Sequence, residues 1–211
     1  MDYRLMTIPD IIRNMQQILV IHGGDAFETH EEYIRSLEGM EISLERMKQQ
    51  NWKSNLQKDL GEQYEVFTPK FPNAQNARYE EWKIIFEKVL PLLDENSILI
   101  GHSLGGIFLA KYLSENEIRK SLKATFLISA PYSTPDHEPI VDFTLNTSLS
   151  DTGNTGDGIY IYHSKDDIVV PYEDAEIYKR ELPNAVLEVF EDRGHFNQDH
   201  FPELVEAIKE L

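Results

Sequence analysis

Cysteine is absent from the 211 residues of this chain. Its absence excludes a disulfide framework, a thiolate nucleophile and a cysteine-based metal site, and it is typical of proteins from reducing compartments. No apolar run approaches the roughly 18 residues that a membrane helix needs. Residues 1–7 also lack the apolar core of a signal peptide. We therefore expect a cytoplasmic protein.

Basic residues are few. Lysine and arginine number 20 against 37 acidic residues, which gives a formal net charge of -17. Such a surface repels phosphate backbones and anionic lipid headgroups. We therefore expect neither nucleic acid nor membrane as a partner, and the charge itself does not identify a substrate.

Short apolar segments alternate with amphipathic helical patterns along most of the chain. Alternation of this kind predicts an α/β fold class, with a mostly parallel sheet covered by helices on both faces. Nothing indicates a linker or a repeat, so residues 1–211 are interpreted as one domain. The predicted strands are 18–22, 64–68, 97–101, 124–128, 159–163 and 186–190.

Two segments depart from the alternation. Residues 29–50 predict one long polar helix, whose apolar residues form a narrow seam. We expect this seam to dock on the domain. A cap over the active site and a homodimer contact are the alternatives. Residues 131–158 predict a polar loop that is rich in turns. Both are expected near the cleft. The seam comprises Tyr33, Leu37, Met40, Leu44 and Met47.

The sequence GHSLG at residues 101–105 follows an apolar strand and precedes a helical pattern. This context is typical of a nucleophile elbow, in which Ser103 occupies a strained turn at the carboxyl end of the sheet. Gly101 and Gly105 are expected because side chains there would collide with the neighbouring strand and helix. The motif predicts Ser103 as a nucleophile.

A serine nucleophile needs a base, and the base needs an orienting acid. The acid is expected after a later strand and the histidine after the last one. The chain provides an acidic turn at 166–167 and a histidine at 195. We assign His195 as the base and favour Asp167 over Asp166 as the acid, because Asp167 directly precedes the apolar run 168–171.

Backbone N–H groups should stabilise the oxyanion. One is expected from Leu104, the residue after the nucleophile, and the other from the turn after the first strand. In that turn we favour Gly24, with Asp25 as the alternative. Apolar neighbours of the acyl group are predicted to be Phe27, Ile168 and Phe196, with Leu104 beside them.

The other histidines are interpreted as structural or exposed. His22, His102 and His163 adjoin strand ends, where structural hydrogen bonds and packing are expected. His195 and His200 suggest a metal pair, but no further ligand cluster accompanies them. We therefore predict no metal and no cofactor.

Further motifs accompany the candidate triad: a tryptophan-led helix, a strand followed by Pro-x-x-Pro-Asn, and a second tryptophan helix before the elbow. Over roughly residues 17–211 the chain thereby resembles the α/β-hydrolase superfamily, and within it the small serine hydrolases of the YdeN and retinoblastoma-binding-protein-nine type. The resemblance implies a single-domain sandwich of about six mostly parallel strands, no large lid domain, and a Ser103–Asp167–His195 triad. The residues that carry these motifs are Asn51, Trp52, Leu56, Leu60, the run 68–73 and Trp82.

Residues and resemblance together predict a serine hydrolase of carboxylesterase type, which cleaves a small ester, thioester or related acyl substrate through an acyl-enzyme. Hydrolysis of a C–C bond, or transfer to another acceptor, would use the same residues. The alternative from a different class is an interaction module on a hydrolase scaffold, for which the seam is the motivating feature.

Overall fold

The computed structural model describes residues 15–48, 50–135, 140–146, 148–152 and 158–211. Within these residues, six parallel strands form one sheet, as the alternating pattern predicts. Every predicted strand is present, and its ends differ from the prediction by at most 2 residues. The strands are β1 (Gln16–Ile21), β2 (Tyr64–Phe67), β3 (Ser97–His102), β4 (Leu122–Ile128), β5 (Ile159–Ser164) and β6 (Val186–Phe190).

The strand order in the sheet is β2-β1-β3-β4-β5-β6. The chain adds β2 on one side of β1 and all later strands on the other side. Connections after β1 and β3 therefore diverge, which opens a crevice at the carboxyl ends of these two strands. This crevice is where an open α/β sheet binds its ligands.

Helices cover both faces because both faces of each central strand are apolar. In β1, for example, Leu19 and Ile21 belong to one core, whereas Ile18 and Val20 belong to the other. The helices are α1 (His30–Gly39), α2 (Leu44–Lys48), α3 (Trp52–Leu60), α4 (Tyr79–Val89), α5 (Leu104–Glu115), α6 (Tyr172–Glu181) and α7 (Pro202–Glu210). Helices α4, α5 and α6 cover the first core, and α3 and α7 cover the second.

The prediction of one long helix over residues 29–50 is wrong. Thr29 begins α1 with a capping box to Glu32, and the helix ends at Gly39 before α2 starts at Leu44. Helix α1 buries none of its residues. Leu44 and Met47 are 71% and 69% exposed, so the expected docking on the domain is wrong for this half of the seam, whereas Tyr33 packs against Phe27 with ring centres 5.9 Å apart. Alternating apolar spacing alone does not provide a surface to pack against.

The described part of residues 131–158 is less polar than predicted, whereas its position beside the cleft stays a prediction. Phe143, Leu145 and Leu149 are buried in the same core as α4 and α5. Asn146 donates to Glu115 at the far end of α5 from Ser103, so the chain around Asn146 lies away from the carboxyl edge of the sheet. Most of the turn-rich run 151–158 lies outside the described residues.

Among the residues that the structure describes, no helix combines the length and apolar character needed to cross a bilayer.

Candidate active site

Ser103 lies on the turn between β3 and α5, at the carboxyl edge of the sheet. Its φ of 55° and ψ of −123° lie in a region that residues other than glycine rarely adopt. The Ser103 N–H donates to the carbonyl oxygen of Ile128 in β4, 2.9 Å away. The residue is only half-buried, so its hydroxyl is reachable. This is the strained strand-to-helix turn that the GHSLG motif predicts.

Glycines let α5 cross close to the ends of β1 and β3. A Cβ atom on Gly101 would lie 2.3 Å from the carbonyl oxygen of Gly105, and a Cβ atom on Gly105 would lie 2.4 Å from that of Ile21. A Cβ atom on Gly106 would lie 2.5 Å from the Cβ atom of Ala130. The predicted reason for the flanking glycines, collision with the neighbouring strand and helix, is confirmed.

His195 and Asp167 meet although 28 residues separate them in sequence, with 2.9 Å between His195 Nδ1 and Asp167 Oδ2. Because Nδ1 faces the carboxylate, Nε2 is the nitrogen that can exchange a proton with a hydroxyl. Among the described residues, neither Ser103 Oγ nor His195 Nε2 has a hydrogen-bond partner. Hydrogen bonds of this catalytic kind often form only when substrate is bound.

The Asp167 carboxylate is held from four directions. Ser129 Oγ donates to Oδ2 at 2.7 Å, and the N–H groups of Val169 and Val170 donate to Oδ1 at 2.8 and 3.1 Å. Burial by itself raises the pKa of Asp167, but the hydrogen bonds from His195, Ser129 and the two amides outweigh it and hold the pKa well below its usual range. The carboxyl is therefore charged and fixed against the imidazole.

Asp166 lies beside Asp167 but plays a different structural part. Its Oδ1 accepts hydrogen bonds from Ser164 Oγ at 2.5 Å and from the Gly194 N–H at 2.8 Å. These bonds tie the turn after β5 to the turn after β6, and the hydrogen bonds to Ser164 and Gly194 lower the pKa of Asp166. The structure therefore pairs Asp167, rather than Asp166, with His195.

Sequence reasoning missed Ser129. This residue directly follows β4, has a positive φ of 42°, and is completely buried beside Asp167. Its position at the carboxyl end of the strand next to β5 was the available signal, because all such strand ends meet at one edge of a parallel sheet.

The turn after β1 lies against the elbow. A Cβ atom on Gly23 would lie 3.0 Å from Ser103 Cβ, and one on Gly24 would lie 2.4 Å from the carbonyl oxygen of Ala74. The Asp25 N–H donates to that same Ala74 oxygen at 2.9 Å. The alternative oxyanion donor is therefore already engaged in a hydrogen bond. Within the described part of the chain, no acceptor takes the Gly24 N–H.

Leu104 is the first residue of α5. Its N–H is one of the helix-terminal donors that have no partner within the helix. Leu104 and Gly24 therefore both present N–H groups near Ser103, which keeps the pair as our candidate oxyanion donors.

The histidines interpreted as structural are all engaged. His22 Nε2 accepts from the Phe71 N–H at 3.0 Å, and His163 Nε2 lies 3.0 Å from the Val170 carbonyl oxygen. His102 is buried, and its Nε2 lies 2.8 Å from the carbonyl oxygen of His195. Since a carbonyl only accepts, His102 Nε2 carries the proton and steadies the loop of the candidate base.

His200 does not join His195 in a ligand pair. Its Nδ1 lies 2.7 Å from Asp59 Oδ2, on the α3 side of the molecule. Among the described residues, no three histidine and acidic side chains converge into a metal-ligand group.

The predicted substrate residues fare differently. Phe196 is 0% exposed and packs in the core against Phe201, so its assignment to the acyl pocket is wrong. Ile168 is 98% exposed. Phe27 is half-buried against the ring of Tyr33. Phe27 and Ile168 stay predictions.

A groove of about 900 Å³ adjoins the Gly24 turn. Ala74, which contacts Gly24, lines it together with the polar side chains of Lys70, Asn76 and Arg78. Tyr33 from α1 forms another part of the wall. The groove next to the Gly24 turn is therefore mostly polar, in contrast to the apolar neighbours predicted for the acyl group.

Comparison with known proteins places the chain in a family. The serine hydrolase family model matches residues 43–209. YdeN of Bacillus subtilis (strain 168) is 28% identical over 130 residues, which is 61% of this chain and 68% of YdeN. Serine hydrolase RBBP9 of Rattus norvegicus is 27% identical over 165 residues, which is 70% of this chain and 78% of that protein.

Solved structures show the same fold. The ydeN gene product of B. subtilis superposes with a TM-score of 0.71 at 21% identity, covering 93% of this chain and 98% of that one. A meta-cleavage product hydrolase from Pseudomonas fluorescens superposes with a TM-score of 0.60 at 15% identity, covering 92% and 91%. The chain belongs to the serine hydrolase family, and its relatives are the small hydrolases of the YdeN and RBBP9 type.

Proposed function

We propose that this serine hydrolase cleaves an ester, thioester or related acyl substrate through an acyl-enzyme intermediate formed on Ser103. One observation carries the proposal: Ser103 occupies a strained turn at the same sheet edge as the Asp167–His195 pair. A hydroxyl exposed there, with a histidine oriented by a buried carboxylate, is the arrangement that activates a serine nucleophile. The lack of cysteine supports a cytoplasmic enzyme.

In the proposed acylation step, Ser103 Oγ attacks the carbonyl carbon while its proton passes to His195 Nε2. The carbonyl oxygen becomes negatively charged and accepts hydrogen bonds from the Gly24 and Leu104 N–H groups. Asp167 stabilises the imidazolium that forms. The bond to the leaving group then breaks, and His195 returns the proton to that group.

In the proposed deacylation step, water gives a proton to His195 Nε2 and attacks the acyl carbon. The bond to Ser103 Oγ breaks, and the serine recovers its proton from the histidine. Backbone donors aimed at the oxyanion are worth roughly 10²–10³ in rate each in enzymes of this kind. The rigid glycine turns around Ser103 support such preorganisation.

A fluorophosphonate probe with peptide mapping tests the nucleophile. We expect labelling at Ser103, loss of labelling in Ser103→Ala, and unchanged labelling in the matched control Ser36→Ala on α1. Hydrolysis of 4-nitrophenyl esters of increasing chain length should fall by on the order of 10⁴-fold in Ser103→Ala. Folded wild-type protein that neither labels nor hydrolyses any ester would contradict the proposal.

A further inference from the structure

Lys53 occupies an unusual position for a lysine. It lies in the first turn of α3, and that turn clasps the loop of His195: the Trp52 N–H donates to the Gln198 carbonyl oxygen and Trp52 Nε1 donates to that of Phe196, both at 2.8 Å. Lys53 Nζ lies 4.9 Å from the centre of the Trp52 ring. The ammonium group is thus held beside the candidate base by a fixed helix terminus.

Short contacts lead from this ammonium group to the candidate nucleophile. Lys53 Nζ lies 3.4 Å from His102 Nδ1. A Cβ atom on Gly23 would lie 3.5 Å from His102 Nδ1 and 3.0 Å from Ser103 Cβ, so His102 and Ser103 flank the same glycine. The cation therefore belongs to the edge of the crevice that holds Ser103.

The charge of Lys53 has no counterion. Lys111 and Lys165 each form an ion pair with a glutamate, at 2.6 Å, but no carboxylate of the described residues lies within 4.0 Å of Lys53 Nζ. An exposed lysine needs no counterion, but an ammonium group that is largely removed from water normally has one. Burial lowers the pKa of Lys53 to about 8, which still leaves the group protonated at neutral pH.

His102 accepts only one of the hydrogen bonds that this ammonium group can donate. Because His102 Nε2 carries the proton that it donates to His195, its Nδ1 accepts one hydrogen bond from Lys53. An ammonium has three N–H donors, and within the described residues the other two have no acceptor. A partly desolvated charge without a counterion lowers stability, and such groups occur preferentially at functional sites.

We infer that Lys53 binds a carboxylate of the substrate, so that the enzyme acts on acyl substrates that carry a negative charge close to the scissile bond. The inference rests on the proposed function and names its substrate class. The carboxylate supplies the counterion that the protein lacks, in a partly desolvated place where a charge-assisted hydrogen bond is strong. Lys53 is thereby a specificity residue, and His195 and Ser103 act on the carbonyl.

Matched esters test the inference. Mono-4-nitrophenyl adipate carries a carboxylate on the acyl group, and 4-nitrophenyl hexanoate is its neutral counterpart. The hexanoyl ester of 4-hydroxybenzoate carries the carboxylate on the leaving group, and its methyl ester is the neutral counterpart. We expect kcat/KM to favour the anionic member of at least one pair by about tenfold or more, and the pair that responds shows on which side the carboxylate binds.

Three variants assign the preference. Lys53→Met should lower kcat/KM more for the anionic esters than for their neutral counterparts and so abolish the preference, Lys53→Arg should retain part of it, and Lys58→Met, at an exposed position on the same helix, should retain all of it. If Lys53→Met lowers all esters by one common factor, Lys53 is a positioning residue and the inference is wrong. Equal rates for both members of both pairs in the wild type also overturn it.

A binding measurement separates this inference from the proposed chemistry. Titration calorimetry of adipate with the Ser103→Ala protein needs no turnover. We expect binding that disappears when Lys53→Met is added, while thermal unfolding shows that the double variant is still folded. Binding without any esterase activity would contradict only the proposed function, and activity without charge preference or adipate binding would contradict only the role of Lys53.

Discussion

The carboxyl edge of the sheet and residues 29–48 differ in how firmly they hold their side chains. At the edge, Asp167 alone receives four hydrogen bonds, and His195 is fixed through it. In residues 29–48, α1 buries nothing and Leu44 is 71% exposed. Strand ends of a parallel sheet converge on one edge whatever their sequence separation, whereas apolar spacing on a helix acquires a place only if another surface meets it.

The largest expected effect tests whether the adjacent residues Asp167 and Asp166 have different roles at the carboxyl edge of the sheet. Asp167→Asn should lower turnover by roughly 10³–10⁴-fold, because an amide no longer stabilises the imidazolium or fixes the tautomer of His195. Asp166→Asn, whose side chain binds Ser164 and Gly194 instead, should change turnover little. Steady-state ester hydrolysis measures both variants, and the opposite ranking would reassign the acid.

The next effect compares side-chain packing in the two segments that depart from the alternation of strands and helices, residues 131–158 and 29–50. Phe143 is completely buried against Trp82, with ring centres 5.4 Å apart. Phe143→Ala should therefore reduce the free energy of unfolding by about 3–5 kcal/mol. Leu44→Ala should reduce it by less than about 0.5 kcal/mol, since the side chain is exposed. Urea denaturation measures both.

Leu44→Ala also tests the homodimer contact that the seam suggests, which stays a prediction. If a second copy covered Leu44, wild-type stability would rise with protein concentration and the variant would lose that dependence. Size-exclusion chromatography of the same two proteins would show the corresponding change in size. Stability that does not depend on protein concentration would contradict the predicted dimer contact.

The smallest effect concerns pH and contrasts buried with exposed histidines. Burial lowers the pKa of His102, with the charges of Lys53 and His195 acting in the same direction, and burial also lowers the pKa of His163. Both are neutral in the fold, whereas the unfolded chain binds protons near pH 6.5. Stability should therefore fall as the pH drops below about 6.5, by about 1 kcal/mol at pH 5.5 for a histidine that stays uncharged in the fold at that pH.

Denaturation at pH 7.5 and at pH 5.5 measures this loss. His102→Gln keeps an amide that can donate to His195 and should show a smaller loss between the two pH values. His30→Gln, at an exposed position on α1, is the matched control and should behave like the wild type. If all three proteins lost the same free energy, the buried histidine would not be the cause.

Much of the site was predictable because its signals are local. The GHSLG run requires a tight turn, and the strand before 166–167 and the strand before 195 are recognisable from composition, so their ends could be assigned to one edge. Ser129 and Lys53 carried no comparable signal. A serine after a strand and a lysine in a polar helix are common, and their significance depends on neighbours 38 and 49 residues away.

The errors have the same physical origin. Phe196 follows the candidate base in sequence, but its ring points into the core with Phe201. Leu145 and Leu149 lie in a polar-looking segment, yet each is buried against the α4 and α5 layer. Which side of the backbone faces solvent is set by the surfaces that meet in the fold, and a single segment does not contain that information.

The sequence by itself determined the parallel sheet, the strained turn at Ser103 and the order of acid and base, because strand composition and turn glycines act through local backbone sterics. Only the tertiary structure decided that Asp167 rather than Asp166 faces His195, and that the Asp25 N–H donates to the Ala74 carbonyl oxygen. It also decided that Lys53 lies beside the site without a counterion. Those outcomes depend on contacts between strand ends and helices far apart in the chain, where a hydrogen bond or an unpaired charge exists only once the layers have packed.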